Sequence, residues 1–100
     1  HMLDITINKE AAKATVALDG RLDTATAPEL EEKMSEITAD AEELVLDFEK
    51  LEYVSSAGLR VILKLQQQMN AKGSMAICNV NEIVGEVFDI TGFCNIVNIV

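Results

Sequence analysis

The sequence predicts an α/β domain built on a mixed sheet, and three observations carry that prediction. One early run, "LDITIN", alternates apolar and polar residues with the two-residue period of a strand, and Thr15 to Leu18 lie in a second strand-like run. Ala27, Leu30, Met34 and Ile37 recur at spacings of three and four, the period of one helix face. After that, short apolar runs and helical patterns take turns. That order joins parallel strands through helical crossovers.

Taken along the chain, Leu3 to Asn8 forms the first strand, "NKEAAK" a turn and Thr15 to Leu18 the second strand, ended by Gly20. "TAPE" predicts a capping box, with Thr26 as N-cap and Glu29 three residues later. The helix that follows turns its apolar stripe inward and carries Glu31, Glu32 and Ser35 on its outer face. "ELVLDF" predicts a strand over Leu44 to Phe48, buried on both faces, and a brief connection then leads to the next helix. That helix runs from Ala57 to Ala71, with Gly73 as its C′ glycine. Arg60, Lys64 and Gln67 form its one clear polar line; the rest of its circumference is mostly apolar, so it is the more buried of the two helices or meets a partner.

"SMAIC" adds a strand, and Asn79 with Glu82 suggests a second capping box. A helix through Ile83, Val84, Val87 and Phe88 then stops near Gly92, and "NIVNIV" supplies a last edge strand. The expected order is β-β-α-β-α-β-α-β: four to five strands and about three major helices in a single domain over residues 3–100. His1 and Met2 are read as a cloning remnant, which removes the sole histidine from functional reasoning.

Composition narrows the function. The chain has 100 residues, 49% of them hydrophobic, which suits one folded core. Its net charge is −9. Ten acids and only two bases, Lys33 and Lys50, lie between Glu29 and Glu52, so a net −8 sits in that stretch. Nucleic acid and anionic membrane surfaces require the opposite balance. The acidic stretch reads either as a solvated face or as a surface that selects a basic protein partner. No apolar run approaches the ~20 residues of a membrane-spanning helix, and no secretory signal is expected at the start. Cys78 and Cys94 form no CxxC pair and have no histidine nearby, so they are expected to be structural thiols in a reducing compartment; no metal or other cofactor is expected.

Attention then falls on "YVSSAGLRVIL", where Ser55 and Ser56 open the longest helix. A nucleophilic serine needs a general base and usually a G-x-S-x-G turn, and the sequence offers neither, so no catalytic residues are expected. No phosphate-binding loop pattern occurs. A capping role accounts for one hydroxyl. The other reading is phosphorylation: a helix N-terminus tolerates an anion, and Arg60, four residues beyond Ser56, can brace it. From the residues alone, phosphorylation does not rank above the cap.

"LDFEKLEYVSSAGLRVIL" closely resembles the signature of STAS domains of the anti-sigma factor antagonist family, and "GRLDTATAPELEE" resembles that family's G-x-L-D stretch entering its first helix. The resemblance covers residues 3–100 and implies a single STAS-type domain without catalysis of its own. It implies that the unphosphorylated protein binds an anti-sigma factor, often itself the serine kinase, that phosphorylation separates the pair, and that a serine phosphatase restores binding. Aligned on Ser-Ala-Gly-Leu, the phosphoacceptor is Ser56, with Ser55 as the alternative. Asp23, Thr24, Ser55, Ala57, Gly58 and Arg60 form its surroundings and the partner surface. Ser55 stands where many members carry Asp. The resemblance further implies a cytoplasmic, bacterial protein without nucleic-acid binding or membrane insertion. Its alternative is an accessory subunit of a membrane transporter complex that does not switch by phosphorylation.

Overall fold

The computed structural model describes residues 2–100. In chain order the elements are β1 (Leu3–Glu10), β2 (Lys13–Leu22), α1 (Ala27–Glu32), α2 (Met34–Thr38), β3 (Glu43–Val54), α3 (Ser56–Asn70), β4 (Ser74–Cys78) and α4 (Glu82–Thr91), followed by a 3₁₀ turn, Phe93–Asn95. The described residues form one four-stranded sheet in the order β1-β2-β3-β4, with β1 antiparallel to β2 and the other pairs parallel. The predicted α/β class and mixed sheet are therefore observed.

Helices cover one sheet face. On that face Ala14, Val16 and Leu18 of β2, Leu44, Leu46 and Phe48 of β3, and Met75 and Ile77 of β4 are buried, with α2 packed on β2, α3 on β3 and β4, and α4 on β3. The alternate positions, Thr15, Ala17, Val45, Asp47, Ala76 and Cys78, are half-buried. The expectation that β3 is buried on both faces is thus corrected, because no helix packs on its second face. Phe88 of α4 joins the two layers, its ring centroid 6.3 Å from those of Phe48 and Phe93. Edge-on and offset ring pairs at this separation add to plain burial.

Several element ends differ from the sequence expectation. β2 does not stop at Gly20 but runs on to Leu22, with Gly20 at φ +121° within an irregularity of the β2–β3 register. β3 likewise continues from Phe48 to Val54 in place of the expected brief connection. The first predicted helix is split at Lys33, whose N–H donates to the Leu30 carbonyl three residues back, while the stripe Ala27, Leu30, Met34 and Ile37 stays buried as expected. Thr26 precedes α1 without capping it through its side chain, so the predicted capping box with Glu29 does not form.

Gly73 is not a left-handed cap: α3 ends at Asn70 with Ala71 as its C-cap in ordinary helical geometry, and a Cβ on Gly73 would collide with the Glu42 carbonyl. The cap of α4 is Asn81, whose Oδ1 accepts from Val84 N–H at 2.8 Å. Asn79, at φ +58°, donates instead to Asp47 Oδ1 at 2.9 Å, so the capping box predicted from Asn79 and Glu82 gives way to a single side-chain cap. Gly92, at φ +79°, ends α4 as expected. The tail forms an isolated bridge, Ile77 to Ile99, not a strand; two backbone hydrogen bonds tie it to β4.

Candidate functional site

The N-terminus of α3 is seated by the ends of two strands. β2 and β3 finish side by side at Leu22 and Val54, and Ser55 N–H donates to the Leu22 carbonyl at 2.9 Å. The helix can approach this closely because position 58 carries no side chain. A Cβ there would lie 2.7 Å from Leu22 Cγ, 2.9 Å from the Leu22 carbonyl oxygen and 2.9 Å from Val54 Cγ2. Ser55 is extended (φ −98°, ψ 176°) and its Oγ accepts from Gly58 N–H at 3.4 Å, the geometry of an N-cap.

The two hydroxyls therefore differ. Ser55 is half-buried and engaged in capping, whereas Ser56, the first helical residue, is exposed. The amide groups of a first helical turn have no partner within the helix and form the positive end of its dipole. The first turn of α3 contains no acidic residue to oppose an anion there. Arg60 is exposed one turn further on, without an ion pair among the described residues. Lys64, next along the same face, is paired with Glu31 at 3.0 Å.

Asp23 begins the loop after β2 and holds it closed. Its Oδ1 accepts from the N–H groups of Ala25 at 3.0 Å and Thr26 at 3.1 Å. Partial desolvation, the largest single influence, pushes this carboxyl up. The hydrogen bonds from Thr26 and Ala25 together with the Arg21 guanidinium outweigh it and hold Asp23 below the ordinary carboxylate value. Arg21 lies 3.7 Å from Asp23 Oδ2 and stacks 4.6 Å from the centroid of the Tyr53 ring. Thr26 is fully buried; its hydroxyl donates to the Arg21 carbonyl at 2.7 Å and accepts from Asp23 N–H at 2.9 Å.

Thr24, Ala57 and Arg60 line one shallow depression of about 230 Å³ with Ala27, Pro28, Glu31 and Val61, between α1 and α3. Asp23 and Gly58 are not part of its lining. They act from behind, Asp23 by closing the loop and Gly58 by admitting the helix. The sequence reading missed Arg21, Thr26 and Tyr53 as supports of this loop, since their contacts appear only when β2 and β3 end together.

Other candidates give less. Among the described residues no group of three His, Cys, Asp or Glu side chains is placed to hold a metal ion. Both cysteines are free. Burial first, and then the charge of Asp47, pushes the Cys78 thiol up, while Cys94 is exposed. Among the described residues no helix is long and apolar enough to cross a membrane.

A two-layer α/β domain whose longest helix begins at an exposed serine beside a tied loop defines a class of small domain. The chain belongs to the STAS domain family, whose model matches residues 3–100, and its relatives place it among the anti-sigma factor antagonists. It is 33% identical over 96 residues to BtrV of Bordetella bronchiseptica, assigned as an anti-sigma factor antagonist, covering 94% of this chain and 83% of that protein. Its fold is similar to an anti-sigma factor antagonist from Mycobacterium paratuberculosis, with a TM-score of 0.87 at 19% identity over 97% of this chain and 84% of the other. SpoIIAA of Bacillus, solved unphosphorylated and phosphorylated, is similar with TM-scores of 0.75 and 0.74 at 17% and 18% identity; 97% of this chain is covered each time, and 87% and 91% of the other.

Proposed function

We propose that this chain is a non-catalytic, phosphorylation-controlled binding module of the bacterial cytoplasm. In its unphosphorylated form it binds an anti-sigma factor that is also a serine kinase. Phosphorylation of Ser56 releases that partner, and a serine phosphatase resets the cycle. The observation that carries this reading is the division of labour at the start of α3: Ser55 caps the helix while Ser56 stands exposed at its positive end. The phosphoacceptor is accordingly Ser56 and not Ser55.

The chemistry of the switch follows from where charge can be tolerated. A phosphate on Ser56 adds about −1.5 to −2 charges. In the free protein it is solvated, lies at the positive end of the helix, where Ser55 caps only the Gly58 amide, and lies one turn from the unpaired Arg60. In a docked complex the same group is stripped of water, at a cost of several kcal/mol unless the partner supplies cations. The fold accepts the anion and the interface does not. That a fold neighbour is known in both phosphorylation states, with nearly equal similarity to this chain, supports the first half of this reading, that the fold accepts the anion.

Incubation with ATP and the cognate kinase, followed by peptide mass spectrometry, is expected to place one phosphate on Ser56. Ser56→Ala is expected to abolish modification and Ser55→Ala to preserve it. Full modification of the Ser56→Ala chain would overturn the assignment.

A further inference from the structure

We infer that the outer face of α4 is a second docking surface, and that its occupant is a basic amphipathic helix of a partner protein. On α4, Ile83, Val87 and Ile90 follow one another at spacings of four and three, and so do Glu82, Glu86 and Asp89. At 100° per residue these are two parallel lines, side by side along the helix. Val84 and Phe88 point into the core; the acidic line, Ile83 and Ile90 face outward, and Val87 between the two isoleucines is partly buried and packs against the edge of the core. Ile83 is 60% exposed and Ile90 79%, unusual values for two isoleucines on one short helix. The acidic line is uncompensated locally, because the sequence holds no Lys or Arg after Lys72.

Gly85 supplies an independent observation. It sits inside α4 on the other flank of the acidic line, where glycine weakens a helix relative to alanine. Nothing within the chain requires it. Its φ is not positive, and a Cβ there would meet only Val80 Cγ1, at an ordinary 3.6 Å. Gly58 and Gly73, by contrast, are each demanded by backbone or core atoms. A glycine that the fold does not need, bordering a depression with Glu82, Ile83, Glu86 and Asp89, fits a site where another chain comes close.

The outward arc of α4 thus reads apolar, acidic, small. A helix with Lys or Arg along one line and apolar side chains beside it complements all three. A second copy of this chain would oppose the same carboxylates, and an anionic membrane would be repelled by them. This surface is separate from Ser56 and does not rest on its phosphorylation.

The test uses the whole chain and a synthetic helix-forming peptide of about 18 residues, long enough to hold a helix, with Leu at helical spacing and Lys on the adjoining line. Amide-resolved NMR titration is expected to shift residues of α4, with affinity falling as salt rises. Ile83→Ser with Ile90→Ser is expected to weaken binding at least tenfold while the folded spectrum is retained. Gly85→Ala is expected to raise Tm by about 4–6 °C yet weaken peptide binding several-fold. Ser56→Asp is expected to leave peptide affinity unchanged. Shifts confined to the acidic region 29–52, a peptide in which Glu replaces Lys binding equally well, concentration-dependent dimerisation through α4 in place of peptide binding, binding of the chain to anionic vesicles through α4, or an unaltered affinity for Gly85→Ala would each overturn the inference.

Discussion

Replacing Gly58 by alanine tests how tightly the candidate site is held, and the geometry gives the size of the effect. A Cβ at this position would stand 2.7 Å from Leu22 Cγ and 2.9 Å from both the Leu22 carbonyl oxygen and Val54 Cγ2. Carbon atoms in contact prefer about 3.5–4.0 Å, so both carbon contacts are short by well over half an ångström. Side chains can yield a little. The carbonyl has less freedom, since it also accepts from Ser55 N–H. Overpacking of this kind costs about 1–3 kcal/mol, and the upper part of that range applies where backbone is involved. Alanine recovers up to about 1 kcal/mol of helix propensity. The net expectation is a loss of about 1–2 kcal/mol and a Tm lower by roughly 5–12 °C for a domain of this size. Differential scanning calorimetry measures the shift, and hydrogen exchange at the Ser55 amide should quicken as the helix lifts from Leu22. A Tm equal to or above that of the parent would refute the close seating of α3 on the strand ends.

Other expectations follow from the same structure. Asn81→Ala removes the cap of α4 and the bond from Asn81 Nδ2 to the Leu51 carbonyl, and should cost about 1–2 kcal/mol by urea denaturation. Asp23 and Asp47 are both held below the ordinary carboxylate value, Asp47 by hydrogen bonds from Asn79 and Glu49 N–H. A carboxyl whose folded pKa is depressed contributes stability that is complete above its unfolded value, near 3.8, and is lost as pH falls through the folded one. Asp23→Asn or Asp47→Asn should therefore flatten the fall of Tm with acidification below about pH 4.

Much of this architecture was legible because burial dictates pattern. The stripe Ala27, Leu30, Met34 and Ile37 packs as its spacing requires, even though the helix breaks beneath it at Lys33. Strand lengths were not legible. In β3 the buried positions Leu44, Leu46 and Phe48 are followed by Leu51 and Val54, out of step with simple alternation. The register against β2 slips between Ala17 and Asp19 and again between Gly20 and Arg21. Each irregularity breaks the two-residue period, so the strand seemed to stop early.

Local cap signals misled where tertiary contacts outbid them. Thr26 has the residue type of an N-cap, yet the end of β2 offers its hydroxyl the Arg21 carbonyl. Asn79 and Glu82 fit a capping box, but Asp47 engages Asn79 and leaves Asn81 to cap the helix. At the candidate site the serines, Gly58 and Arg60 were visible in a short motif. The tie from Asp23 to Ala25 and Thr26, and the placement of Arg21 over Tyr53, depend on two strands ending together and have no local sequence signal.

Central to the account is that charge on Ser56 is tolerated by the fold and not by the interface. The direct measurement is the affinity of the cognate anti-sigma factor for the unmodified chain and for the chain fully phosphorylated on Ser56, by titration calorimetry, with Tm recorded for both. A desolvation cost of about 3 kcal/mol predicts affinity at least about 100-fold weaker after phosphorylation, with Tm nearly unchanged. Equal affinities for the two forms would contradict it.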